Sequence, residues 1–155
     1  MIRPYEPRDQ QQVIHCITSL QNFERTLEPD RVEPTGLAPR YLHDLLARTE
    51  NQQGGLLVAE EAGQVVGYVA LCLEPEPADY WTTLAGYAYI SDLVVLPEQR
   101  GRGLGRALLA EAEHLARRLG ANALKINVLA RNSAAWSLYR SAGFRDYEIS
   151  LLKPL

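Results

Sequence analysis

The chain has 155 residues, 46% hydrophobic and 23% charged, enough to bury one core and too few for two full-sized ones. No run approaches the ~20 apolar residues of a membrane helix, and the opening MIRPYEPRDQQ lacks the apolar stretch of a secretory signal. A single cytoplasmic domain spanning 1–155, with no membrane partner, is expected. The net charge of −3 hides an asymmetry: residues 1–97 hold 6 Lys/Arg and 14 Asp/Glu, while 98–155 hold 10 and 5.

Residues 2–5 suit a short strand, and Pro7 with Asp9 opens a helix whose Val13, Ile14, Ile17 and Leu20 recur at helical spacing. Pro29, Pro34, Gly36 and Pro39 make residues 27–39 largely loop. A second helix, with the stripe Tyr41, Leu42, Leu45 and Leu46, ends before Gly54. Residues 56–60 and 65–71 read as a hairpin turning at 61–64, and residues 74–79 as a loop. A β-rich run at 87–95 stops before Pro97. Leu104, Leu108, Ala112, Leu115 and Leu119 then share one helix face, closed by Gly120. A strand at 124–129 follows. Asn132 is placed to cap a helix carrying Ala135, Leu138, Tyr139 and Ala142 up to Gly143, and residues 144–152 close the sheet. A hairpin followed by a strand–helix–strand crossover implies an α/β (α+β) fold, a mixed sheet of six to seven strands with helices on both faces. Cys16 and Cys72 read as buried thiols, and His15, His43 and His114 are scattered, so no metal is expected.

The segment Arg100-Gly101-Arg102-Gly103-Leu104-Gly105-Arg106 stands between the strand at 87–95 and the next helix. A helix start presents unpaired N–H groups and the positive end of its dipole, glycines allow an anion close, and arginines add charge-assisted donors. That combination suits a pyrophosphate. A Walker loop is excluded because no G-K-[ST] is present, and a G-x-G-x-x-G loop because Arg106 and Leu108 stand where its last glycine would be. A glycine-rich turn with a solvated basic helix start is the alternative.

Arg100-x-x-Gly103-x-Gly105 resembles the acetyl-CoA loop of the GNAT superfamily of N-acetyltransferases. Asn132-x-x-Ala135-x-x-x-Tyr139-x-x-x-Gly143-Phe144 is similar to the element on that family's next helix. The resemblance spans residues 89–144. It implies a sheet whose strands at 87–95 and 123–129 run parallel and then splay, with residues 1–85 on the acceptor side and 86–145 on the acetyl-CoA side. The pantetheine arm would enter the splay and pair with the backbone of Leu93, Val94 and Val95. The pyrophosphate would sit on the N–H groups of Gly101 to Arg106, including those of Arg102 and Leu104, with Asn127, Asn132 and Ala135 as further cofactor contacts. The basic half matches that anionic ligand.

Acetyl transfer needs a proton removed from an ammonium of pKa ~10, an oriented amine, an oxyanion donor and an acid for the departing thiolate. The resemblance assigns the acid to Tyr139, the alternative being a core tyrosine whose hydroxyl caps a buried acceptor. Asp92 is the candidate base or amine anchor, or else a structural carboxylate. Ser91 stands where polyamine-type relatives often carry a glutamate. Glu24, Glu28, Asp30 and Glu33 lie where the family builds its acceptor wall, each alone reading otherwise as a solvated surface carboxylate, and Tyr80, Trp81 and Tyr87 are placed to line its mouth or to pack as aromatics. The expected acceptor is a small cationic amine or another exposed amine, a protein N-terminus included. A non-catalytic acetyl-CoA sensor is the rival reading. Nucleic acid is disfavoured by the acidic balance, and the family's frequent dimers make a homodimer an expectation.

Overall fold

The computed structural model describes residues 1–74 and 86–155. Tyr80, Trp81 and nearly all of the expected 74–79 loop lie outside the described residues. Chain order is β1 (Ile2–Pro4), a helical turn (Pro7–Asp9), α1 (Gln10–Leu27), α2 (Ala38–Asn51), β2 (Gly55–Glu61), β3 (Gln64–Glu74), β4 (Tyr87–Val95), a turn (Pro97–Gln99), α3 (Leu104–Arg118), β5 (Leu124–Ile126) and α4 (Ser133–Ser141). The β2–β3 hairpin closes through Ala62 (φ 48°) and Gly63 (φ 78°), the double left-handed turn whose twist matches two antiparallel strands. The sheet runs β1-β2-β3-β4-β5, antiparallel except for the parallel β4–β5 pair.

Helices cover both faces. Val13, Cys16 and Ile17 of α1 and Leu42 and Leu45 of α2 pack on Val58, Tyr68, Ala70 and Val94. On the opposite face Leu108, Leu109 and Ala112 of α3 pack on Val69, Leu71, Ala88 and Ile90. β4 therefore serves both cores, and a bulge explains how. Ala70 pairs with Asp92 and Leu71 with Ile90, which leaves Ser91 as an extra residue. One inserted residue reverses the alternation. Ala88 and Ile90 face α3, whereas Asp92 and Val94 face α1 and α2. Asp92 owes its side of the sheet to that bulge.

The described sheet has five strands, fewer than the six to seven expected from the sequence. β5 keeps residues 124–126 of the expected 124–129, because its pairing with β4 ends at Ile90 and Ile126. Residues 144–152 form no strand. Their alternation is strand-like, but a strand also needs a ladder partner, and beyond Tyr147 the chain runs through solvent, with Ile149 81% and Leu151 94% exposed.

A partly buried ion pair fixes β1 to the start of α1. Arg3 donates to both carboxylate oxygens of Asp9, at 2.7 and 2.8 Å, and to Glu60 at 2.7 Å, and Asp9 also accepts from the Glu6 N–H at 2.8 Å. The Arg3 guanidinium holds the Asp9 carboxyl below its usual range. Its stabilisation is therefore present above the unfolded value of ~3.9 and is lost as pH falls through the lower folded value. Asp9→Ala leaves the partly buried Arg3 guanidinium with fewer partners and is expected to lower stability. Denaturant melts check this, and the difference from wild type should shrink as pH drops below ~3.9.

Candidate active site

Where β4 and β5 part, the backbone of residues 91–95 keeps β3 on one side and, among the described residues, has no strand on the other. That gap is floored by the half-buried Leu93 and Val95 and flanked by Leu104, Val128, Leu138 and Tyr139. Asn132 caps α4 by accepting from the Ala135 N–H at 3.1 Å, which brings Tyr139, two turns on, to the gap as a buried residue. Arg131, just before the cap, donates to the Leu27 carbonyl at 3.1 Å and lies 3.9 Å from Glu28. It ties the end of α1 across the α4 side.

At the mouth of the gap the chain turns through Gly101 (φ 76°) and Gly103 (φ 85°) into α3. Both conformations are left-handed, and among the described residues nothing stands within 4 Å of where a Cβ would be at either position. The first bond into α3 runs from the Ala107 N–H to the Gly103 carbonyl. Among the described residues, no backbone acceptor takes the N–H groups of Gly101 to Arg106, so six donors stand at the positive end of the helix dipole. Gly105 has a different cause: a Cβ there would lie 3.0 Å from Leu138 Cδ2, so its smallness lets α3 meet α4. The three arginines are engaged within the protein. Arg100 donates to the Val95 carbonyl at 2.9 Å and stacks on Phe23, Arg102 pairs with Glu61 at 2.9 Å, and Arg106 donates to Ser141 at 3.0 Å.

Behind the gap lies a cluster of carboxylates and phenols. The Tyr41 hydroxyl donates to Asp92 Oδ2 at 2.7 Å, although Tyr41 is 37% exposed and only its tip turns inward. Asp92 is 5% exposed, and burial pushes its carboxyl up despite the opposing Tyr41 hydrogen bond and the Arg48 charge. The wholly buried Tyr68 hydroxyl lies close to Asp92, and burial with the Asp92 charge holds it neutral. Glu24 of α1 is also pushed up, first by desolvation and then by Asp92, against Arg31 at 3.5 Å. The Tyr139 phenol is pushed up to about 12 by burial, then by the charges of Glu24 and Asp92. Burial first, and then the charges of two carboxylates on different elements, keep this phenol protonated.

Other sequence candidates stand apart. Glu33 is exposed and accepts from the Thr35 N–H and hydroxyl, Asp30 is exposed, and the Tyr87 ring carries the Lys125 ammonium at 3.8 Å. Asn127 is exposed where β5 has left the ladder. Tyr41, Tyr68, Arg48 and Arg131 join the site without having been singled out as site residues. Tyr41 read as one more residue of a helix stripe, and no local spacing marks a phenol that meets a carboxylate 51 positions away.

The model of the acetyltransferase (GNAT) family matches residues 18–144. The chain is 32% identical over 102 residues to an uncharacterized N-acetyltransferase, YhfO, of Bacillus subtilis, covering 66% of each chain. It is 29% identical over 154 residues to the thialysine N-epsilon-acetyltransferase of Bos taurus, covering 94% of this chain and 84% of that one. The chain spans from 32% to 66% of the length of the first several curated relatives it matches. In fold it superposes on a mutant of the BH1408 protein of Bacillus halodurans with a TM-score of 0.88 at 23% identity, over 100% of this chain and 99% of that one. An aminoglycoside N-acetyltransferase, AAC(6')-Iy, in complex with CoA gives a TM-score of 0.73 at 13% identity, over 100% of this chain and 98% of that one.

Proposed function

The chain belongs to the GNAT acetyltransferase family, and on that premise we propose that it moves an acetyl group from acetyl-CoA to a small cationic amine, by direct attack while both are bound. One observation carries the reading: the buried carboxylate of Asp92 lies on β4 where, among the described residues, that strand's outer edge has no partner. The coenzyme's amide-bearing arm would pair with the free backbone of Leu93, Val94 and Val95. Its pyrophosphate would rest on the N–H groups of Gly101 to Arg106, which have no backbone acceptor of their own. Those donors and the open space over Gly101 and Gly103 fit the group. The name of the thialysine enzyme among the relatives accords with a cationic side-chain amine.

Each residue then has a task. Glu24 and Asp92 attract the ammonium and, with pKa values raised toward neutrality, are better matched than an ordinary carboxylate to take its proton. Tyr139 faces the departing sulfur. At about 12 the phenol is a weaker acid than a thiol at ~8.5. Full proton transfer to the thiolate would then be uphill by roughly 5 kcal/mol. A cation seated between the two carboxylates would offset only the smaller, electrostatic part of that rise, since burial is its main cause, so Tyr139 serves better as a hydrogen-bond donor to the developing thiolate charge than as a full proton donor.

Acetyl-CoA at a hundred times its Kd is expected to add about 2.7 kcal/mol of stability, which for a chain of this size raises Tm by roughly 5–10 °C. Gly103→Glu places a carboxylate over the loop donors in a left-handed residue. Circular dichroism melts should show a folded variant whose Tm ignores acetyl-CoA. A full shift in that variant would remove the loop from the reading.

A further inference from the structure

Arg48 is a charge at the site to which the proposed transfer gives no task. It stands on α2 two turns past Tyr41 on the same helix face, about 10 Å further along the axis. Two bonds hold that face against the sheet. The Tyr41 hydroxyl reaches Asp92 of β4, and the Gln52 carbonyl just past α2 accepts from the Leu73 N–H of β3. Between those two points of the sheet, Tyr89 pairs with Cys72 and Asp92 with Ala70. Arg48 therefore lies over β4 on the Tyr89 side of Asp92, and its charge acts on Asp92, Tyr41, Tyr89 and Cys72.

A guanidinium withdrawn from water needs partners. Of the two arginines that are not exposed, Arg3 spends its guanidinium on Asp9 and Glu60. Among the described residues the Arg48 guanidinium makes no ion pair and no hydrogen bond, and its Nε is buried without an acceptor. The two Nη nitrogens, equally unpaired, are not buried with it, so the stem is covered and the fork is open. An arginine placed only to keep Asp92 charged would pair with it directly; instead the Tyr41 hydroxyl holds Asp92 Oδ2. A planar open fork fits a planar anion, a carboxylate held through two parallel N–H···O bonds.

Resting on the amine transfer proposed above, we propose that the acceptor is an amino acid, its carboxylate held by Arg48 while its reacting ammonium lies against Asp92 and Glu24. One guanidinium against two carboxylates leaves the site negative, so an amino acid with a second ammonium complements it better than a plain zwitterion does.

The test compares acceptors that differ only by the carboxylate, lysine with cadaverine and ornithine with putrescine, by thiol release from acetyl-CoA. In the wild type the amino acid of each pair should have a kcat/KM about 10- to 100-fold above that of the bare diamine, the range of a charge-assisted pair, with most of the difference in KM. In Arg48→Met, folded by circular dichroism, that advantage should fall below about threefold, and Arg48→Lys should restore part of it. Titration calorimetry of the same pairs with CoA present reads the carboxylate without turnover. Lysine binding that is lost in Arg48→Met, in a chain that releases no thiol with any amine, would end the transfer reading and keep the carboxylate site. Wild-type rates and affinities that are equal within each pair would overturn the proposal. So would an Arg48→Met variant that slows both members of a pair alike and keeps their ratio, which would reduce Arg48 to a charge that tunes Asp92.

Discussion

Tyr139→Phe is expected to lower kcat by roughly 10- to 1,000-fold, the range of a lost general acid or a lost donor to developing charge. Acetyl-CoA affinity should stay within severalfold. The phenyl ring keeps the buried packing of Tyr139 against Phe144, whose ring centroid is 5.9 Å away, so the gap stays shaped. Only the hydroxyl is removed. Single-turnover acetylation and acetyl-CoA titration of the same preparation separate the two effects. Unchanged turnover would leave Tyr139 as packing alone, and loss of coenzyme binding would move its role from chemistry to the fold of the gap.

Asp92→Asn should lower kcat/KM for the amine by about 100- to 10,000-fold, and its effect on stability should have the opposite sign. Burial raises the Asp92 pKa. The carboxyl's contribution is therefore most favourable below the unfolded value of ~3.9 and is lost as pH rises through the folded one, so at neutral pH the buried charge costs stability. An uncharged amide of the same shape relieves that cost, and Tm should hold or rise. A purely structural carboxylate behaves in the reverse way, stability falling with its removal. The pH profile adds a second readout. In the wild type kcat/KM rises as Asp92 deprotonates, and the variant should lose that limb. Tyr41→Phe removes the hydrogen bond that favours the charged form and should shift the limb to higher pH.

The arginine-glycine loop and the Asn132 cap were legible in the sequence because each is a local device. A left-handed glycine before a helix, or an amide three residues before the helical N–H it accepts from, is specified within a few positions. The hairpin turn at Ala62 and Gly63 and the covering of both faces were legible for the same reason, through turn chemistry and period. The Asp92 environment was not. It depends on the extra residue Ser91, which turns the carboxylate from the α3 face to the α1 and α2 face, and on Tyr41 and Tyr68 arriving from α2 and β3. A bulge changes the face of every residue after it while leaving composition and alternation intact. The arginines teach a related lesson: Arg100, Arg102 and Arg106 suited an anion by type and spacing, yet Val95, Glu61 and Ser141 take them in the structure, leaving backbone N–H groups at the loop. The strand expected at 144–152 had the right alternation, but its partner edge cannot be read from the segment itself.

The most direct test of the central claim is thiol release from acetyl-CoA, followed against a panel of cationic, neutral and anionic amines, amino acids and peptides at two ionic strengths. The account expects release that depends on the amine, is fastest with a cationic acceptor, and shows a KM that rises with salt as the field of the acidic wall is screened over ~8–10 Å. Acetyl-CoA binding without amine-dependent release would make the chain a sensor, and a best acceptor that is anionic, with a KM indifferent to salt, would contradict the assignment of Glu24 and Asp92 to the amine.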